Sequence, residues 1–199
     1  MIQIPCETVV RLSALIKSDV APEFRVMRFE NGKVIVTNRR FGVVEQNNRF
    51  EGTFHVLLPD ALIEQCRVEK SFSSVLTITP NPILKYTTAI TTMGFQVSEN
   101  IGYWEETPLL DTWHDKIVKP CLTPATASRG AFMCHSSELA ILAETSPSGD
   151  IIFEANIDTT RVTVVRDLNS SEWAGFFIPR LDDGMYHAPA AVPSWLKGE

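Results

Sequence analysis

The side chains that could do covalent or metal chemistry are few and badly spaced for it. The four histidines, His55, His114, His135 and His187, and the four cysteines, Cys6, Cys66, Cys121 and Cys134, include no Cys-x-x-Cys and no close pairs of the kind a structural zinc site uses. Cys134 and His135 are adjacent, and on a strand neighbours point to opposite faces, so a thiol would be turned away from its base. Ser146-Pro147-Ser148-Gly149-Asp150 reads as a turn and not as a hydrolase elbow. Asp182-Asp183 has the charge for a cation, but adjacent carboxylates after a strand are usually solvated. There is no glycine-rich phosphate loop. The expectation is a protein that is not an enzyme and carries no metal or cofactor.

The elements that must carry the remaining residues form a pattern that can be read three times: an edge strand, a short helix, then three strands. The first pass has a strand at Met1–Ile4, a helix at Glu7–Ser18, then strands at 24–29, 33–37 and 41–45. The second has a strand at Thr53–Leu58, a helix entered at Pro59-Asp60, and strands near 75–79, 83–91 and 94–99. The third has a strand at Ala131–Cys134, a helix from Ser136 to Glu144, and strands near 151–157, 161–167 and 174–179. Val9, Leu12 and Ile16 make the apolar stripe of the first helix; Leu62, Ile63 and Cys66 that of the second; and Leu139, Leu142 and Ala143 that of the third, which Ser136 can cap. Met27 and Phe29 alternate with Val26, Arg28 and Glu30, and Asn31-Gly32 suits the positive φ angles of a tight hairpin. Each unit alone leaves one apolar sheet face open, and joining units is how such a face is buried.

The 199 residues are 44% hydrophobic and 21% charged, which favours neither disorder nor membrane insertion, and no apolar run reaches the roughly 18 residues of a spanning helix. The start, Met1-Ile2-Gln3-Ile4-Pro5, has no basic leader, so a cytoplasmic location with reduced cysteines is expected. Punctuation by proline and small polar residues divides the chain into 1–120, 121–181 and a tail, 182–199. Tails of this composition usually fray; the alternative is that Tyr186 or Trp195-Leu196 docks on a pocket.

Three segments carry a resemblance. Phe29-Glu30-Asn31-Gly32-Lys33-Val34-Ile35-Val36-Thr37-Asn38-Arg39-Arg40-Phe41, Leu109-Leu110-Asp111-Thr112-Trp113-His114-Asp115-Lys116-Ile117-Val118-Lys119-Pro120 and Phe176-Phe177-Ile178-Pro179-Arg180-Leu181 resemble segments of the bacterial sliding clamp, the β-subunit processivity factor of replicative DNA polymerase. Each segment is short and altered, with Asn38 for an acidic residue and no internal proline in the second. The resemblance implies an α+β, DNA-clamp-like fold of repeated βαβββ units. A clamp domain has two such units, so 1–120 would be one domain and 121–181 a half-domain, about one and a half in all. A reduced form of this kind would suit a phage gene.

The resemblance further implies a scaffold acting as a DNA replication processivity or recruitment factor. Its partners would be a DNA polymerase or another replication protein, bound through a short linear peptide in an apolar pocket formed by Thr37, Arg39, Arg40, Phe41, Val118, Pro120, Phe176, Phe177, Ile178 and Pro179. The plain alternative is that the aromatic segment fills a core strand and Arg39-Arg40 sits in a solvated turn. Duplex DNA would meet the helices through Arg11, Lys17, Arg67 and Lys70, but the net charge is −6 and the third helix carries Glu138 and Glu144 with no basic residue. Two other readings stay open: a clamp-like peptide-binding or regulatory module that forms no ring, and an unrelated structural α+β protein. An odd number of units implies a homo-oligomer, either four chains closing a ring or two chains pairing their orphan halves.

Overall fold

The computed structural model describes residues 1–16, 26–38, 41–46, 51–81, 86–99, 136–154 and 163–177. The first unit consists of β1 (Ile2–Pro5), α1 (Cys6–Leu12, extended by a 3-10 turn, Ser13–Leu15), β2 (Val26–Glu30), β3 (Lys33–Thr37) and β4 (Phe41–Gln46). The second consists of β5 (Thr53–Leu57), α2 (Asp60–Glu69, with a 3-10 turn, Lys70–Phe72), β6 (Val75–Asn81), β7 (Tyr86–Thr91) and β8 (Gln96–Glu99). The third supplies α3 (Ser136–Thr145), β9 (Ile151–Glu154), β10 (Thr163–Asp167) and β11 (Trp173–Phe177). Its expected opening strand, Ala131–Cys134, lies outside the described residues. So do the crossover 105–120, the linker 121–130 and the tail 182–199. Ser136, expected as a cap, is instead the first helical residue. Asn31 and Gly32 both have positive φ, 46° and 82°, as a tight hairpin of this handedness requires.

The first two units do not close on themselves. β1 of the first unit pairs antiparallel with β6 of the second, Ile4 opposite Leu76, and β5 of the second pairs with β2 of the first, Val56 opposite Met27. The opening strands are thus exchanged. The two sheets run β1-β6-β7-β8 and β5-β2-β3-β4-β11-β10-β9. The third unit joins the seven-stranded sheet through its last strand, β11, which pairs with β4, the last strand of the first unit.

Residues paired across antiparallel strands share a face. One face of the seven-stranded sheet therefore carries Met27, Phe29, Val34, Val36, Phe41, Val43, Val165, Trp173 and Phe177, which all join one core with Val9, Leu12, Leu62, Cys66 and Leu142 of the helices and with Ile2, Ile4, Leu76 and Ile78 of the four-stranded sheet. α1 packs on α2 and, less extensively, on α3. No described helix is long and apolar enough to cross a membrane.

Candidate peptide-binding site and helix face

The β4–β11 pairing decides where the aromatic residues go. Phe41 stands opposite Phe177, and Gly42 opposite Phe176, while Thr37 is paired with Gly42 from the other side. Thr37, Phe41, Phe176 and Phe177 thus meet at one corner of the sheet, although the two aromatic segments lie at opposite ends of the chain. The corner has two faces. Phe41 and Phe177 point into the helix-side core, where the Phe177 ring meets Phe153 edge-on at 6.0 Å. Phe176 and Thr37 lie on the reverse face. All four are buried. A Cβ built on Gly42 would run into the Phe176 ring and the Val36 carbonyl, so the ring lies against bare backbone.

The link between β3 and β4 is tied at both ends. Thr37 Oγ1 donates to the Phe41 carbonyl at 3.1 Å, the Asn38 amide donates to the same carbonyl at 3.1 Å, and the Phe41 amide donates to Asn38 Oδ1 at 3.1 Å. This places the ends of a three-residue connection, 38–40; its Arg39 and Arg40 fall outside the described residues, as do Val118, Pro120, Ile178, Pro179 and Lys17.

Of the residues expected to meet DNA, Arg11 has another engagement. Its Nη1 donates to Glu45 Oε2 at 2.7 Å and its Nη2 to Glu45 Oε1 at 3.0 Å, a two-pronged ion pair with side chains only 12% and 7% exposed. Nη1 also donates to the Thr145 carbonyl at 2.5 Å, at the C-terminus of α3, where a cation suits the helix dipole. One guanidinium thereby joins α1, β4 and α3. Arg67 is half exposed and pairs with Glu64 three residues earlier, and Lys70 is exposed. Glu7, Asp60, Glu64 and Glu144 are exposed on the same three helices, so their outward surface is predominantly acidic.

Two buried carboxylates are structural. Burial opposes the charge on Glu69, but hydrogen bonds from Thr91, Gln65, the Met93 amide and Ser74 outweigh it and hold the pKa below the usual carboxylate value. Asp167 likewise resists burial through Ser146, the amides of Ser148 and Asn169, and the Ser148 hydroxyl, which bring its pKa down to about 2. Asp167 therefore organises Ser146–Asp150, the segment read as a turn. The thiols of Cys6 and Cys66 share a hydrogen bond between α1 and α2, and burial first, then the neighbouring thiol, pushes the Cys66 pKa up, which leaves it a poor nucleophile. Among the described residues no three His, Cys, Asp or Glu side chains gather as a metal site would require.

No family model matches the chain, and no curated protein does. Solved structures do. The DNA polymerase sliding clamp of Pseudomonas aeruginosa superposes with a TM-score of 0.57 at 9% identity, covering 90% of this chain and 65% of that one. The clamp of Bacillus subtilis gives 0.55 at 10% identity over 91% and 64%, and that of Caulobacter crescentus 0.56 at 8% over 98% and 67%. The chain has the sliding-clamp fold and spans about 65% of the length of the Pseudomonas clamp.

Proposed function

We propose that this chain is a sliding-clamp-like scaffold of DNA replication that recruits a polymerase or another replication protein through a short linear peptide, and that it is not an enzyme. The observation that carries this reading is the convergence of Thr37, Phe41, Phe176 and Phe177 at the β4–β11 seam of a clamp fold. In this reading Phe176 and Thr37 form the floor of the pocket, Phe41 and Phe177 support it from the core side, and Arg39, Arg40, Val118, Pro120, Ile178 and Pro179 complete its rim. The DNA-facing part of the proposal rests on Arg67 and Lys70, with Lys17, because Arg11 is engaged by Glu45. The acidic surface of the helices favours a second reading within the same fold, a peptide-binding or regulatory module that does not encircle DNA. The shared fold favours both over an unrelated α+β protein.

The test is fluorescence anisotropy with a labelled Leu/Phe-rich peptide, run beside a denaturation curve on the same samples. Phe176→Ala is expected to weaken binding at least tenfold beyond any loss of folded protein. Affinity falling only in step with unfolding would make Phe176 a core residue and sink the pocket. Salt-resistant retention on circular but not linear DNA separates the encircling reading from the modular one.

A further inference from the structure

Apolar side chains that the core does not use gather at the C-terminal end of α2. Among the described residues, three of the four most exposed large apolar side chains are Phe72 at 66%, Val68 at 65% and Met93 at 62%. Val68 and Phe72 stand about one turn apart, on α2 and its 3-10 extension. Met93 comes from the turn between β7 and β8, which is tied to the same stretch at two points. The Met93 amide donates to Glu69 Oε2 at 3.3 Å, and Thr92 Oγ1 accepts from the Val75 amide at 2.8 Å and donates to the Val75 carbonyl at 3.1 Å. Glu69 and Val75 bracket Phe72, so the turn and the helix end form one surface. Ser73, with a φ of 54°, stops the helix directly after Phe72, and a Cβ built on Gly94 beside Met93 would meet nothing within 4 Å. Single apolar residues scattered on a surface are ordinary, but three gathered on a hydrogen-bonded frame mark a contact surface.

We propose that this patch docks a short amphipathic helix of a partner protein, one that carries large apolar side chains beside carboxylates. Charge selects that partner. Arg67 and Lys70 are the exposed cations that the described helices and their 3-10 turns present, and both sit at this end, one beside Val68 in sequence and the other between Val68 and Phe72. Ser71, Ser73, Thr92 and Gly94 around them are exposed and uncharged, and Glu64 is already paired with Arg67. The surface is thus apolar with a positive flank, on a chain of net charge −6, and its complement is apolar with a negative flank. Duplex DNA would answer only half of it. Phosphates would meet the two cations and leave the three apolar side chains in water, and Val68 and Met93 have no ring on which a base could stack. Leu or Phe side chains one helical turn apart match the spacing of Val68 and Phe72. The frame is ordered before the partner arrives, so docking carries little ordering cost on this side. The patch belongs to α2 and the four-stranded sheet, the β4–β11 seam to the other sheet, so this inference stands whether or not the seam holds a peptide.

The experiment is a fluorescence-anisotropy titration of the full chain into a labelled helical peptide with Leu at positions i and i+4 and Glu at i+3 and i+7, beside a second peptide with Lys in place of Glu. The acidic peptide is expected to bind saturably with a dissociation constant below about 1 mM, and the basic one at least tenfold more weakly. Phe72→Ser and Val68→Ser are each expected to weaken the acidic peptide at least tenfold, with thermal unfolding within about 2 °C of the parent chain because both side chains face solvent. Lys70→Glu is expected to reverse the preference between the two peptides, a result that a purely apolar contact would not give. Equal binding of both peptides, no saturable binding, or affinities untouched by Phe72→Ser overturn the proposal. So does a Phe72→Ser chain that loses retention on DNA while the peptide never bound, which would assign the patch to nucleic acid, or a parent dimer in sedimentation that Phe72→Ser dissolves, which would assign it to a second copy.

Discussion

Replacing Arg11 by Met tests whether its guanidinium holds the fold or waits for phosphate. Glu45 accepts from Nη1 at 2.7 Å and Nη2 at 3.0 Å, and from Thr8 Oγ1 at 3.3 Å, at a site where its side chain is 7% exposed. Methionine keeps the length and apolar stem of arginine but removes the positive charge from a buried carboxylate, which costs about 3–5 kcal/mol. Removal of the Thr145 contact adds to this by loosening α3 from α1. For a chain of this size each kcal/mol moves the melting temperature by roughly 2–4 °C, so a fall of about 6–20 °C is expected. The double variant Arg11→Met, Glu45→Leu removes both charges and should recover at least half of the loss, since an apolar pair of similar volume often matches a buried ion pair. Urea denaturation of the two single variants and the double gives the coupling energy. Single costs below about 1 kcal/mol that simply add would mean the pair behaves as a surface one and the structural reading is wrong. Unchanged stability with weakened, salt-dependent DNA retention would return Arg11 to the DNA-binding set.

Two further predictions concern the third unit and the aromatic corner. Asp167 has a folded pKa of about 2 against an ordinary 3.8, so the stability it contributes is complete above pH 4 and is lost as pH falls through 2; Asp167→Asn should flatten that limb in acid-denaturation curves and cost about 2 kcal/mol at neutral pH through weakened charged hydrogen bonds. Gly42→Ala places a methyl against the Phe176 ring and the Val36 carbonyl, so it should destabilise by about 1–3 kcal/mol in urea melts, and a neutral result would show that the ring is free to move aside.

The local grammar of the chain was legible in its sequence. Asn31-Gly32 announced the hairpin, the alternation of Met27 and Phe29 with Arg28 and Glu30 announced the two faces of β2, and Leu12, Cys66 and Leu142 marked the buried stripes of the helices. What could not be read was which strands pair. Ile4 and Val56 look alike as members of short edge strands, and nothing local says that each crosses to the other unit's sheet, because the partners Leu76 and Met27 are chosen by burial over the whole core. The same limit explains Arg11. A cation beside an apolar stripe reads as solvent-facing, and its acceptor, Glu45, lies on β4, where a carboxylate among Val43, Val44 and Phe41 was the available hint of an internal charge. Gly42 went unnoticed for a related reason, since the ring that needs its missing side chain arrives from β11.

Charge bears on the DNA-facing reading. α2, α1 and α3 form a row, with α1 touching both neighbours. The α3 end of that row carries Glu138 and Glu144 with no basic residue on the helix, while Arg67 and Lys70 belong to α2 and the 3-10 turn after it. Clustered carboxylates exclude phosphate over roughly a Debye length, about 8 Å at physiological salt. Duplex DNA brought to this row would therefore be held off at α3 and admitted at the α2 end, and substituting Arg67 and Lys70 is expected to flatten the salt dependence of its binding more than any substitution on α3.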